Sequence, residues 1–200
     1  MGGLVRSAYG KRAEEYAEVL GSLEAVAAED QSLVTRWAQT LSGPVIDAGC
    51  GPGHWTKLLH DCGVDVHGID LVPEFITAAG RRFPGVSFGL GDLAALPVQD
   101  AGLGGVLSWY SIIHAQPEVV PAVAAELHRV LRPGGSLLLG FFRGEVVAPF
   151  DHAVTAAYCW PAEAMGAILI EAGFSVRETH AREDAGARPH AAIWAMKPSV

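Results

Sequence analysis

Hydrophobic positions in this chain follow two alternating rhythms. Short, mostly apolar runs stand at 45–48, 64–69, 86–90, 105–109 and 136–142, and between them apolar residues recur every three or four positions. Runs of the first kind predict strands covered on both faces, and those of the second predict amphipathic helices. The strands are expected at Val45–Ala48, Val64–Ile69, Val86–Leu90, Gly105–Trp109 and Ser136–Phe142. Helices are expected from Trp55, over Pro73–Phe83 with its proline at the start, and over Pro117–Leu131, which stops at Arg132-Pro133-Gly134-Gly135. The alternation reads βαβαβαβαβ, which requires right-handed crossovers and a parallel sheet between two helical layers.

The two ends of the chain depart from this rhythm. Residues 8–42 carry helical spacing before the first strand, with Tyr9, Ala13 and Tyr16 in one register and Leu33, Trp37 and Leu41 in another, and are expected to form cap helices. Residues 143–160 have no clear period and are expected to be an irregular insertion. Pro161–Ala172 reads as a helix closed by Gly173, and Phe174–Thr179 and Ala191–Met196 as two strands joined by AREDAGARP. So short a connection makes a hairpin, so the sheet gains an antiparallel edge strand. The whole is expected to be a single domain spanning 1–200.

A formal charge of −8 with no cluster of Lys or Arg removes the electrostatic footprint of a nucleic-acid or anionic-membrane binder, leaving small molecules as the expected partners. Cys50, Cys62 and Cys159 show no metal-ligand or disulfide spacing. The opening residues lack the apolar core of a signal peptide, and no run approaches the roughly 18 apolar residues of a membrane span. A soluble, cytoplasmic protein with no metal is the expectation, its oligomeric state open.

Candidate chemistry begins at VIDAGCGPG, 45–53, where Gly49, Gly51 and Gly53 join strand to helix with almost no side chains. Such a loop lets a ligand approach the backbone and is expected to offer its amides. Asp70 follows about 20 residues later at the end of the second strand, where a carboxylate can accept from both hydroxyls of a ribose.

VIDAGCGPG, Asp70, the GDL at 91–93 and LRPGGSLLL at 131–139, in this order and followed by a terminal hairpin, resemble the class I S-adenosylmethionine-dependent methyltransferases, most closely the small-molecule members akin to those of quinone biosynthesis. The resemblance implies an α/β, Rossmann-like, doubly wound and mostly parallel seven-stranded sheet, and S-adenosylmethionine as cofactor. It assigns Asp47, Gly49, Gly51 and Gly53 to the methionine portion, Asp70 to the ribose with Leu71 beside the adenine, and Asp92 and Leu93 to the adenine ring. Ser108 and Trp109 would line the sulfonium, and Tyr9 would close over the methionine end. The rival in the same architecture, a nicotinamide-dependent oxidoreductase, wants a small residue at the position of His54. A non-catalytic binder of the same cofactor would share every binding residue.

Methyl transfer from a sulfonium is chiefly a matter of positioning, and a base is needed only where the acceptor must lose a proton. His114, just past the fourth strand, is the candidate for that role. Arg143, Glu145, His152 and Tyr158 of the insertion, with Arg182, Arg188 and His190 around the hairpin turn, are expected near the acceptor. Nothing after the fourth strand matches the Asn/Asp-Pro-Pro-aromatic or Pro-Cys signatures of nucleic-acid base methylation, so an unidentified small-molecule methyl acceptor is expected.

Overall fold

The computed structural model describes Arg6, Tyr9 and residues 22–152 and 155–199. Its main strands are β1 (Val45–Ala48), β2 (Val66–Asp70), β3 (Ser87–Leu90), β4 (Leu103–Trp109), β5 (Leu131–Phe142), β8 (Ser175–Arg182) and β9 (His190–Met196), with the short β6 (Ala148–Phe150) and β7 (Ala157–Cys159) between. The seven main strands form one sheet in the order β3-β2-β1-β4-β5-β9-β8. The helices are α1 (Ala28–Ala38), α2 (His54–Asp61), α3 (Pro73–Arg82), α4 (Val120–Val130) and α5 (Ala162–Glu171). The doubly wound α/β class read from the sequence is the class observed.

Strand residues alternate between two cores. Val106, Leu137, Leu139 and Ile193 face α4 and α5, meeting Leu127, Met165 and Leu169. Their neighbours Leu107, Leu138 and Trp194 face the other way, onto Trp37 of α1 and Trp55 and Leu59 of α2. This is the period of two of a pleated strand, and each fully buried leucine contributes about 1.5–3 kcal/mol through removal from water. Within that second core Ser136 Oγ accepts from both Trp37 Nε1 at 2.8 Å and Trp194 Nε1 at 2.9 Å.

Several expectations change in detail. Of the helices expected over 8–42, the described part gives a 3-10 turn at Leu23–Ala25 and α1; Ala13 and Tyr16 lie outside the described residues. No helix joins β3 to β4, because that loop is held by side chains instead. Arg129 of α4 donates to the carbonyls of Val98 and Leu96, and Glu126 accepts from the Leu96 amide. The insertion is not irregular throughout, since β6 and β7 pair antiparallel, and Trp160 bonds back to Phe142 and Gly144. The strand that runs backwards is β9, one in from the edge, while β8 lies outermost and parallel to β5. The crossover through α5 lays β8 outside, and the hairpin return fills the gap.

Candidate active site

All the loops at the carboxyl ends of the parallel strands open on one cavity of about 790 Å³. The sequence-derived residues Tyr9, Gly49, Gly51, Asp70, Leu71, Asp92, Leu93, Trp109 and His114 line it. Asp47, Gly53 and Ser108 are not part of its wall. Asp47 is buried behind the glycine loop, Gly53 caps α2, and the Ser108 hydroxyl is bonded to that of Ser111 at 2.7 Å.

The glycine loop is built differently from the expectation that a ligand rests on its amides. Gly49 and Cys50 N–H both donate to Ile69 O of β2, at 2.7 and 3.0 Å, Gly53 N–H donates to Cys50 O, and Gly51 N–H donates to Asp70 Oδ2 at 2.8 Å. These amides are spent on the fold, as buried donors must be. A Cβ on Gly51, whose φ is +52°, would meet nothing within 4 Å, so the loop shows the cavity bare Cα surface with open space above it.

Asp70 ties this loop to the next. Its Oδ1 accepts from Val72 N–H at 2.9 Å while Oδ2 holds Gly51, the Leu71 amide adds to them, and the residue lines the cavity. Burial raises its pKa against the pull of those backbone donors. Asp47 is raised further, to about 7, chiefly by burial, with the Thr56 hydroxyl at 2.6 Å opposing and the charge of Asp70 adding. Burial and the same two carboxylates push the Cys50 thiol well up.

Farther along the cavity the histidines are neutral. His114 donates from Nδ1 to Ala156 O at 3.0 Å, so its Nε2 is the acceptor for the Tyr9 hydroxyl at 2.7 Å. Burial lowers the His114 pKa, and pushes His152 and His54 down to about 4, with Arg188 and His114 acting on the former and Arg82 on the latter. His54 Nδ1 and His152 Nδ1 are buried without a hydrogen-bond partner. Arg182 lines the wall and is paired with Asp30 and Asp184. Arg143, Glu145, Tyr158 and Arg188 lie outside the lining.

Sequence reasoning missed Ser111, which donates to Ala48 O at 2.7 Å and pins the loop after β4 onto the glycine loop. No local pattern marks it. It also missed the turn at Tyr110, a non-glycine residue with φ +57°. Among the described residues no group of three His, Cys, Asp or Glu is placed to hold a metal ion, and no helix is long and apolar enough to cross a membrane.

Residues 45–135 match the model of a family described as a methyltransferase domain. The chain is 31% identical over 130 residues to malonyl-[acyl-carrier protein] O-methyltransferase of Serratia marcescens, covering 63% of this chain and 50% of that protein. It is 34% identical over 107 residues to demethylmenaquinone methyltransferase of Beutenbergia cavernae, covering 54% and 44%. The chain thus spans about half the length of the curated relatives it matches. The fold is shared with 1,6-didemethyltoxoflavin-N1-methyltransferase of Burkholderia thailandensis, crystallised with 1,6-didemethyltoxoflavin and S-adenosylhomocysteine, at a TM-score of 0.81 and 21% identity over 98% of this chain and 88% of that one.

Proposed function

We propose that the chain, which carries a methyltransferase domain over 45–135, is a class I S-adenosylmethionine-dependent methyltransferase that binds S-adenosylmethionine against the glycine loop and transfers the methyl group to a small-molecule acceptor. The observation that carries the cofactor choice is the spent amides. With four loop amides turned onto β2 and onto their own loop, and the Asp70 carboxyl group beside them, the loop has no spare donors for a pyrophosphate and suits a cationic ligand better. This weighs against a nicotinamide dinucleotide.

The residues fit the cofactor's parts. The Asp70 carboxylate in the cavity wall suits the ribose diol, Leu71 and Leu93 suit the faces of the adenine, and the exposed carboxylate of Asp92 suits its amino group. Trp109 and the bare surface at Gly49 and Gly51 suit the methionine end, with Tyr9 closing over it. When bound, S-adenosylmethionine supplies an electrophilic methyl carbon with a good leaving group. The protein's part is to exclude water and hold the acceptor in line, worth up to ~7–11 kcal/mol in well-oriented cases.

Where the acceptor sheds a proton, the geometry favours Tyr9 and His114 acting as a pair. The Tyr9 oxygen receives the acceptor's proton as its own passes to His114 Nε2, and Ala156 O steadies the imidazolium through Nδ1–H. Calorimetric titration with S-adenosylmethionine, S-adenosylhomocysteine and nicotinamide dinucleotides in parallel tests the cofactor. Saturation by the sulfonium pair alone supports the reading; binding of a dinucleotide alone refutes it. Release of S-adenosylhomocysteine in the presence of an acceptor separates an enzyme from a non-catalytic binder.

A further inference from the structure

The sheet order divides the cavity in two. Most groups suited to the cofactor leave β1, β2 and β3, with Trp109 at the end of β4 on the boundary, whereas Tyr110 follows β4, Phe142 ends β5, and Arg182 and His190 stand at the turn between β8 and β9. His152 reaches the same half from the insertion. We propose that this second half is the acceptor subsite and that it takes a planar, uncharged aromatic or heteroaromatic molecule bearing an O–H or N–H. The inference rests on the cofactor reading above, which fills the first half.

Ring faces dominate this half. The Phe142 ring lies 4.9 Å from Tyr110, 5.4 Å from His190 and 5.3 Å from Phe150, which backs it, and His152 lies 5.2 Å from His114. The Tyr110 ring is fixed in place. Its backbone is held at positive φ by a bond from its amide to Gly140 O, and its hydroxyl is bonded to His190 Nδ1. The Phe142 ring is tilted by 47° to Tyr110 and 40° to His190, Tyr110 stands edge-on to His190, and such ring surfaces suit contact with another flat ring.

Charge excludes the main alternative. Arg182, the one arginine or lysine in the described wall, is held by Asp30 and Asp184, both of which also line the cavity, so the pair of acids overbalances it. Arg188 lies 4.0 Å over Phe150 and outside the wall. Burial keeps His114, His152 and His190 in their neutral forms near pH 7. Among the described residues a carboxylate acceptor would meet only Arg182, whose Nε–H lacks a partner but whose charge is opposed by Asp30 and Asp184, and its desolvation would be costly. A neutral ring with one polar edge meets stacking faces and, at His152 Nδ1, a buried polar atom still lacking a partner.

The test uses the whole protein saturated with S-adenosylhomocysteine and titrated by calorimetry with 2-naphthol, lumichrome and malonyl-N-acetylcysteamine. Saturable binding of a planar probe and none of the malonyl probe is expected. Phe142→Ala should weaken the planar probe about tenfold or more while S-adenosylhomocysteine binding changes little. Phe142→Leu, which keeps apolar volume, should lose planar affinity in the same direction and guards against a folding defect. Tighter binding of the malonyl probe, or planar affinity unmoved by both variants, would overturn the subsite. Intact S-adenosylhomocysteine binding with no planar binding defeats this inference alone; failure to bind S-adenosylhomocysteine defeats the cofactor reading beneath it.

Discussion

A Cβ built on Gly49 would sit 2.2 Å from the Cβ of Ser111, and 2.9 Å from its hydroxyl oxygen. The loop after β4 thus lies directly on the bare backbone of the glycine loop, locked there by the Ser111 hydroxyl on Ala48 O. Two segments more than sixty residues apart form one wall, and the glycine is required by its neighbour as much as by any ligand.

Gly49→Ala is accordingly expected to cost stability through overpacking, about 1–3 kcal/mol, and through a φ of +82° that alanine resists by a further ~1–2 kcal/mol. Urea denaturation reads the sum. Adding Ser111→Gly removes the collision but not the backbone strain, so the double variant should recover part of the loss. Strict additivity of the two changes would count against the contact.

Asp70→Ala should both loosen the loop and weaken the cofactor. It strands the Gly51 and Val72 amides, at about 1–3 kcal/mol each where they stay buried, and removes the acceptor for the ribose diol. Asp70→Asn keeps one carbonyl oxygen and should recover more stability than affinity. Calorimetry beside thermal unfolding separates the two effects, and unchanged affinity in both variants would strike Asp70 from the site.

The pH dependence of stability should carry the signature of Asp47. Its folded pKa of about 7 stands above the ordinary 3.8, so the folded state holds a proton that the unfolded chain gives up, and stability falls as pH rises between these values. His54 and His152, pushed down to about 4, act oppositely, with stability falling as pH drops below the ordinary histidine value of 6.5. The two trends mask each other in the parent protein. The difference between Asp47→Asn and the parent isolates the first: it should grow in the variant's favour from about pH 4 to about pH 7 and then level. A flat difference across that window would contradict the burial argument.

Tyr9→Phe and His114→Ala should each lower turnover by about 10²-fold with an acceptor that loses a proton, with little change in S-adenosylhomocysteine affinity. The parent rate should fall as pH drops through the His114 pKa, which lies below the ordinary histidine value. With both groups removed together the loss should resemble either single loss, as for groups that act as a unit. A rate unmoved by His114→Ala would return it to a packing role.

Much of this protein was legible in its sequence because the relevant forces are local. The mostly apolar runs at 45–48, 105–109 and 136–142 predict covered parallel strands, since a strand buried on both faces need not alternate. Asp70 could be placed at a strand end by counting from the glycines. What tertiary structure decided is where long-range neighbours meet. Gly51 N–H faces Asp70 rather than a ligand because β2 lies beside β1, and His114 has its Nε2 taken because Tyr9, 105 positions earlier, packs against it. The order β5-β9-β8, the Ser111 collision at Gly49 and the Asp30–Arg182–Asp184 cluster, in which two acids hold one arginine, likewise join distant segments. Periodicity reports which face of an element is buried, whereas contacts between elements depend on how those faces dock, and so on the packing of the whole chain.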